Sequence, residues 1–195
     1  RLTDAQVVLL KADPTVQAVE EDQPMHAIGQ TIPWGIGKTR DTLSSTLAGN
    51  GAGSVAGVNV YVIDTGIAAH PDLNLVRHTN FTGDGTNADC NGHGTHVAGT
   101  IGARDDAASV VGMAPGVALT GVKVLGCSGS GSTSTVIKGV DWVTANAVKP
   151  AVANMSLGGG VSTMLDNAIV RSVNSGVVYA IAAGNSAVDA CSQSP

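Results

Sequence analysis

Short apolar runs recur along the chain from Val58 onward. Val58–Ile63 is apolar and rich in β-branched residues, which is typical of a strand buried on both faces of a sheet. Ala118–Leu125, Ala151–Met155 and Val177–Ala183 are further candidate strands. These runs predict the strands of one sheet.

The segments between the predicted strands favour helices. Ser132–Ala147 and Ser162–Asn174 carry apolar residues at helical spacing, and His93–Gly102 is typical of a helix start that packs on the first strand. Strands that alternate with helices of this length indicate βαβ units. We therefore predict an α/β fold with a doubly wound, mostly parallel sheet and helices on both faces.

The first part of the chain follows a different pattern. Thr3 and Gln6 form a capping pattern ahead of the apolar run Val7–Leu10, which predicts a short helix. Val16–Glu20 alternates like a short strand. Residues 24–57 lack periodicity and become rich in Gly, Ala and Ser, which indicates a connector into the main domain.

Composition narrows the class of protein. The chain has 195 residues, 43% of them hydrophobic and 13% charged, with a net charge of -5. This much apolar content excludes a disordered chain, and with 3% aromatics the core must consist of Val, Ala, Ile and Leu. The acidic balance argues against nucleic acid as a partner. No run approaches ~18 apolar residues, so no membrane span is expected.

Polar or glycine-rich segments follow each predicted strand at its carboxyl end. Asp64 follows the first strand, residues 126–131 the second, residues 156–160 the third, and Gly184-Asn185 the fourth. In open α/β sheets, ligands bind outside the carboxyl ends of the strands. The pattern alone therefore predicts one site at this edge of the sheet.

Asp64-Thr65-Gly66 by itself supports several interpretations. An Asp that caps the next turn is about as good an interpretation as a functional carboxylate. An aspartic protease also carries Asp-Thr-Gly after an apolar strand, but its chemistry needs two carboxylates that share a proton. The chain has one such motif, and α/β alternation does not fit that all-β class.

Asn91–Thr100 concentrates histidine and glycine. His93 and His96 could bind zinc, but no third ligand is evident and the Glu of a His-Glu-x-x-His motif is absent. Together with Asp64 and Asn185 on the same edge, His93 fits a general base oriented by an Asp, and Asn185 fits a donor to an oxyanion. The predicted nucleophile is a hydroxyl group.

Four motifs in this order resemble the Asp, His, substrate-strand and oxyanion blocks of the subtilases, which are subtilisin-like serine endopeptidases. The motifs are Val62–Gly66, Asn91–Thr100, Asn154–Gly159 and Ala182–Asn185. The resemblance extends from about Trp34 to Pro195. Gly129-Ser130-Gly131 and the cysteine positions are most similar to the proteinase K branch.

The resemblance implies a role for each of these residues. Asp64 and His93 would be two members of the catalytic triad and Asn185 the oxyanion-hole side chain, with no cofactor for catalysis. A polypeptide substrate would bind as an extended strand between two backbone edges, and one of its side chains would enter a pocket. The edges would be Gly129, Ser130 and Gly131 on one side and Ser156, Leu157 and Gly158 on the other, with Ala182, Ala183 and Gly184 in the pocket.

Residues 1–26 resemble the end of an inhibitor-type subtilase propeptide, and residues 27–195 the front part of the catalytic domain. The resemblance implies that the protein's own propeptide is a partner, which assists folding and occupies the active site until it is cut. We expect the junction between about Gln23 and Ala27.

The nucleophile block of the family, Gly-Thr-Ser-x-Ala, does not occur in the sequence. Gly131–Thr135 is superficially similar but precedes Asn185, and Ser156 belongs to a substrate-edge motif. We therefore expect a C-terminally incomplete protease, with its missing portion as a partner and no peptidase activity from this chain alone. The alternative is a non-catalytic pseudo-protease that binds extended peptides.

Calcium is the structural metal that the resemblance suggests. Asp84 and a backbone oxygen near Pro195 are the candidate ligands, because Ca²⁺ prefers carboxylate and carbonyl oxygens. The segment Gly35–Arg40 has no acidic residue, so no calcium is expected there.

The chain has three cysteines. By the same resemblance, Cys90 pairs with Cys127, and the partner of Cys191 lies downstream. Such a disulfide implies an oxidising compartment. We therefore expect a secreted, extracellular protein.

Overall fold

A computed structural model describes residues 2–16, 19, 30–39, 43–106 and 109–195. The helices are α1 (Asp4–Ala12), α2 (Trp34–Lys38), α3 (His93–Gly102), α4 (Thr133–Asn146) and α5 (Thr163–Asn174). The strands are β1 (Asn59–Asp64), β2 (Leu75–Asn80), β3 (Ala118–Lys123), β4 (Ala151–Met155), β5 (Gly159–Gly160), β6 (Val177–Ile181) and β7 (Gln193–Ser194). A short 3₁₀ turn, Ala190–Ser192, precedes β7.

Five strands form one parallel sheet in the order β2-β3-β1-β4-β6. The central strand β1 pairs along its length with β3, and Asn59 to Val62 pair with β4. Because these strands run parallel, their carboxyl ends meet at one edge of the sheet. The mostly parallel α/β fold predicted from the sequence is confirmed.

Alternate residues of β1 enter two cores, one on each face of the sheet. Val60 and Val62 pack with Ala98 of α3, whereas Tyr61 and Ile63 pack with α4 and α5. Full burial of such a side chain stabilises the fold by about 1.5–3 kcal/mol. Helices therefore cover both faces, and the second core also contains Val136, Val140, Val143, Leu165 and Ile169.

The helices begin where the sequence supplies a capping side chain. Thr3 and Gln6 form a complete capping box at the start of α1, as predicted. Ser132 and Ser162 cap α4 and α5 by accepting hydrogen bonds from backbone N–H groups. Helix α1 buries none of its residues, so capping rather than packing supports it. Within the described ranges, every helix is too short or too polar to cross a lipid bilayer.

Three parts of the fold are not predicted by the sequence pattern. Strand β2 is polar from Arg77 to Asn80 and lies at the edge of the sheet, where polar residues are tolerated. Helix α2 interrupts the predicted connector, and β5 pairs with β7 in a small antiparallel sheet. The strand predicted over Val16–Glu20 lies partly outside the described residues, and Val16 and Val19 belong to no strand.

Candidate active site

Asp64 and His93 meet at the carboxyl end of the central strand. Asp64 ends β1 with a fully buried side chain, and His93 begins α3 with 50% of its side chain exposed. Asp64 Oδ1 accepts hydrogen bonds from His93 Nδ1 at 2.8 Å and from the Thr65 N–H at 2.6 Å. An ionised carboxylate at Nδ1 keeps the proton on that nitrogen and leaves Nε2 free to act as a base.

Glycine allows the start of α3 to lie against the turn that follows β1. Gly92 precedes the helix with a φ of 105°, a left-handed conformation that favours glycine. A Cβ on Gly94 would collide with the carbonyl oxygen of Gly66. At this distance the Gly94 N–H donates to Thr65 Oγ1 at 2.9 Å. The close approach brings His93 to Asp64.

A second carboxylate, Asp89, joins the same two segments, and the sequence analysis does not predict its role. Its carboxylate accepts hydrogen bonds from the Thr65 hydroxyl and the Gly92 N–H, both at 2.9 Å, and from the Thr95 N–H at 3.0 Å. Burial raises the pKa of Asp89, but the hydrogen bonds outweigh burial and lower its pKa to about 2. The available signal was an Asp within capping distance of a helix start.

A cleft of about 440 Å³ opens beside His93. Both predicted backbone edges line it, together with Val136 and Leu165 from the core. The structure therefore brings both predicted edges to His93. The edge residues that line the cleft are Gly129, Ser130, Gly131, Ser156, Leu157 and Gly158.

The residues after β6 lie outside the lining of this cleft. Ala182, Ala183, Gly184 and Asn185 are exposed, and Asn185 makes no side-chain hydrogen bond within the described residues. The Gln193 side chain lies against Gly184. The pocket role and the oxyanion role of these residues therefore stay predictions.

A disulfide joins the loop before α3 to the loop after β3. It connects Cys90 with Cys127, which is the pairing that the family resemblance implies. The Asn91 side chain crosses the same gap and donates to the Cys127 carbonyl oxygen at 3.1 Å. The third cysteine, Cys191, is exposed and free. The disulfide thus ties the start of the His93 helix to the first backbone edge.

The two candidate calcium ligands lie in different surroundings. Asp84 Oδ2 lies 3.2 Å from Lys123 Nζ, and Asp84 Oδ1 accepts from the Thr86 N–H at 3.1 Å. Burial raises the pKa of Asp84, but these hydrogen bonds outweigh burial and lower its pKa to about 2. Pro195 lines the cleft. Asp84 therefore already has a cationic partner, and a calcium role for either residue stays a prediction.

Asp72 is a further buried carboxylate that no motif in the sequence marks. It is 7% exposed, and burial raises its pKa together with the neighbouring Asp106 carboxylate. Its backbone carbonyl oxygen accepts from the Arg104 N–H at 3.0 Å. In the same region, Gln30 Nε2 donates to the carbonyl oxygens of Arg104 at 2.8 Å and Val110 at 3.3 Å.

These contacts describe an acid–base pair that faces an open cleft. His93 can accept a proton at Nε2 while Asp64 stabilises the resulting imidazolium. In the described part of the chain, no hydroxyl or thiol group hydrogen-bonds to His93. The arrangement can therefore activate a nucleophile that is placed over the cleft from elsewhere.

Comparison with known proteins points to one family. The model of the subtilase family matches residues 56–195. A crystal structure of a cold-adapted subtilisin-like serine proteinase superposes with a TM-score of 0.65 at 53% sequence identity, and the match covers 71% of this chain and 50% of that chain.

Curated relatives agree with this match. The chain is 46% identical to an extracellular serine proteinase of Thermus sp. strain Rt41A over 98% of its own length, and 45% identical to alkaline serine exoprotease A of Vibrio alginolyticus over 100%. It is 42% identical to subtilisin E of Bacillus subtilis over 94% of its length. The chain spans about half or less of these relatives, namely 47%, 38% and 48% of their lengths.

Proposed function

The chain belongs to the subtilase family, and we propose that it forms the front part of a secreted serine endopeptidase. The named relatives include serine proteinases and alkaline proteases. In the proposed reaction, a serine attacks a peptide carbonyl to form an acyl-enzyme, which water then hydrolyses.

The hydrogen bond between Asp64 and His93 is the observation that carries this proposal. Its length of 2.8 Å and the complete burial of Asp64 suit a carboxylate that orients an imidazole and stabilises its charged form. His93 Nε2 would take the proton of the serine hydroxyl and later return it to the leaving amine. The Asn185 amide would donate to the oxyanion, a contact whose removal typically lowers kcat by about 10²–10³-fold.

The two backbone edges would bind the substrate as an added strand. Gly129 to Gly131 and Ser156 to Gly158 both line the cleft, and an extended peptide between them would form main-chain hydrogen bonds to both. Backbone contacts of this kind demand little of the substrate sequence. We therefore expect broad specificity, with the main preference set by the pocket assigned to Ala182, Ala183 and Gly184.

The nucleophile is proposed to come from sequence other than these 195 residues, because no Gly-Thr-Ser-x-Ala block occurs among them. The 195-residue chain alone is then inactive. A pseudo-protease that binds extended peptides is the second candidate, because the cleft between the two edges is already formed.

One experiment separates these two functions. The complete reading frame is sequenced and expressed, and hydrolysis of a chromogenic peptide is compared between that product and the 195-residue chain. The protease proposal expects a downstream Gly-Thr-Ser-x-Ala block and activity that a serine-directed phosphonate abolishes. A complete frame without that block, whose product binds the peptide without cleaving it, supports the pseudo-protease. Phosphonate-sensitive turnover by the 195-residue chain would refute its proposed inactivity.

Residues 1–26 are proposed to be the end of a propeptide, and residues 27–195 the front of the catalytic domain. Helix α1 supports this division because none of its residues is buried and Val8 and Leu9 are exposed, which leaves an apolar surface free to pack elsewhere. N-terminal sequencing of active material should find a start between about Gln23 and Ala27. A start upstream of Thr15 would contradict the proposal.

We propose secretion on the basis of the Cys90–Cys127 disulfide. We propose membership of the proteinase K branch on the basis of the same cysteines and of Gly129-Ser130-Gly131. A disulfide indicates an oxidising compartment, and one relative is named an extracellular proteinase. Identities of 41–42% to Bacillus-type alkaline proteases do not separate the branches. Structural calcium is proposed as well, with Asp84 and an oxygen near Pro195 as its candidate ligands.

A further inference from the structure

A buried ammonium group lies behind the proposed catalytic pair. Lys123 ends β3, is 0% exposed, and is the largest of the fully buried side chains among the described residues. Burial of an ammonium ion is strongly unfavourable unless it is paired and hydrogen-bonded. The hydrogen bonds and the ion pair of this ammonium group are therefore expected to contribute to the structure of the site.

Lys123 Nζ contacts three other segments around the site and the end of its own. It donates to the carbonyl oxygen of Thr65 at 2.9 Å and to that of Leu125 at 3.1 Å. Asp84 Oδ2 lies 3.2 Å away and acts as its counter-ion. Cys90 Sγ, part of the disulfide, lies 3.5 Å away. One side chain thus joins the turn after β1, the Asp84 loop and the loop before α3 to Leu125, which leads into the first backbone edge.

Two of these contacts act directly on the geometry of the proposed site. Thr65 follows Asp64, and its N–H donates to Asp64 Oδ1, the same oxygen that accepts from His93. Leu125 lines the cleft and lies four residues before the first edge. By holding the carbonyl groups of both residues, Lys123 fixes the distance between the Asp64 turn and the edge that would bind the substrate.

Asp64 and Lys123 also lie next to each other in the sheet. They are register partners in β1 and β3, so their side chains project from the same face. Asp64 is 0% exposed and accepts hydrogen bonds from His93 and from the Thr65 N–H through Oδ1. Lys123 therefore acts on this carboxylate through the Thr65 turn, whereas its charge is paired with Asp84.

We propose that Lys123 is a positioning residue for the proposed hydrolysis. It holds the Asp64–His93 pair and the first substrate edge as one rigid unit, although it does not touch the substrate. The inference rests on the proposed function, because it assigns catalytic use to that pair. It adds a residue that no subtilase motif quoted above contains.

The first test measures the His93–Asp64 hydrogen bond in the ¹⁵N-labelled 195-residue chain by NMR. The readout is the downfield, slowly exchanging Nδ1–H resonance of His93. Lys123→Met keeps the length of the side chain but removes its charge and donors, and it is expected to abolish this resonance. Val140→Ala is the control, because Val140 is a fully buried α4 residue in the opposite core. The control should lower the unfolding temperature and keep the resonance.

The second test measures kcat and KM in the product of the complete reading frame. Lys123→Met is expected to lower kcat by about 10²-fold, the effect of a small misplacement of reacting groups, whereas Val140→Ala leaves kcat unchanged. Retention of the His93 resonance and of kcat in Lys123→Met would overturn the inference. Equal losses of kcat and of the resonance in Lys123→Met and Val140→Ala would also overturn the inference, because they would indicate a merely structural role. An inactive wild-type product would contradict the proposed function but leave the resonance test intact.

A measurement on the wild type covers the case in which Lys123→Met does not fold. The ammonium protons of Lys123 should exchange with solvent much more slowly than those of the exposed Lys38, and Lys123→Gln, which keeps an N–H donor, should retain part of the His93 resonance. Fast exchange at Lys123, or the absence of any His93 resonance in a folded Lys123→Gln variant, would overturn the inference.

Discussion

The disulfide between Cys90 and Cys127 provides the sharpest prediction about stability. Replacement of both cysteines by serine opens a loop that lies between the start of the His93 helix and the first backbone edge. For a sequence separation of 37 between the cysteines, the chain-entropy relation gives a loss of about 4 kcal/mol in the free energy of unfolding at 25 °C. In a chain of this length, such a loss lowers the unfolding temperature by about 8–16 °C.

The loss is measured by urea unfolding of the double variant and the wild type, monitored by circular dichroism. Cys191→Ser is the matched control, because Cys191 is exposed and free; it should leave the unfolding midpoint unchanged. A double variant within about 1 kcal/mol of the wild type would refute the reasoning. So would an equal loss in Cys191→Ser, which would mean that thiol substitution itself, not the open loop, lowers stability.

Three further predictions concern the surroundings of the site. Hydrogen bonds lower the pKa of Asp89 from 3.8 to about 2, so this carboxylate stabilises the fold above about pH 4 and its contribution is lost as the pH falls toward 2. Asp89→Asn should therefore flatten that part of the pH dependence of urea unfolding. An unchanged pH dependence in the variant would contradict this prediction. Gly94→Ala should lower the free energy of unfolding by about 1–3 kcal/mol because its Cβ meets the Gly66 carbonyl oxygen, whereas Gly99→Ala on the same helix has open space and should not destabilise the fold. Added CaCl₂ should raise the unfolding temperature of the wild type but not of Asp84→Asn, and an equal rise in both would place the ion elsewhere.

The regular elements around the site could be predicted because their patterns are local. Helix α3 and strand β4 have the predicted bounds. A glycine-rich helix start and a short, mostly apolar run are each recognisable from neighbouring residues alone. Strand β2 could not be predicted, because His78 and its polar neighbours suit a strand only at the edge of a sheet. No residue within six positions of β2 indicates that it lies at the edge of the sheet.

The supporting polar residues of the site escaped prediction for a different reason. In the sequence, Asp89 resembles an ordinary turn residue. Its contact with Thr65 joins residues 24 positions apart, which no local pattern shows. Lys123 reads as an exposed strand end, but the Thr65 carbonyl oxygen that it binds lies 58 positions away. Sequence motifs contain catalytic residues together with their near neighbours in the chain. The groups that hold them in place depend on tertiary contacts that only the folded chain reveals.

The central claim is that Asp64 and His93 activate a serine in the complete protein. Its most direct test is kcat/KM for a chromogenic peptide in the product of the complete reading frame, compared with its His93→Ala and His96→Ala variants. His96 is exposed on the same helix and is the control. The account predicts a loss on the order of 10⁶ for His93→Ala, the magnitude known for loss of the triad histidine in subtilisin itself, and no comparable loss for His96→Ala. Substantial activity in the His93→Ala variant would contradict it.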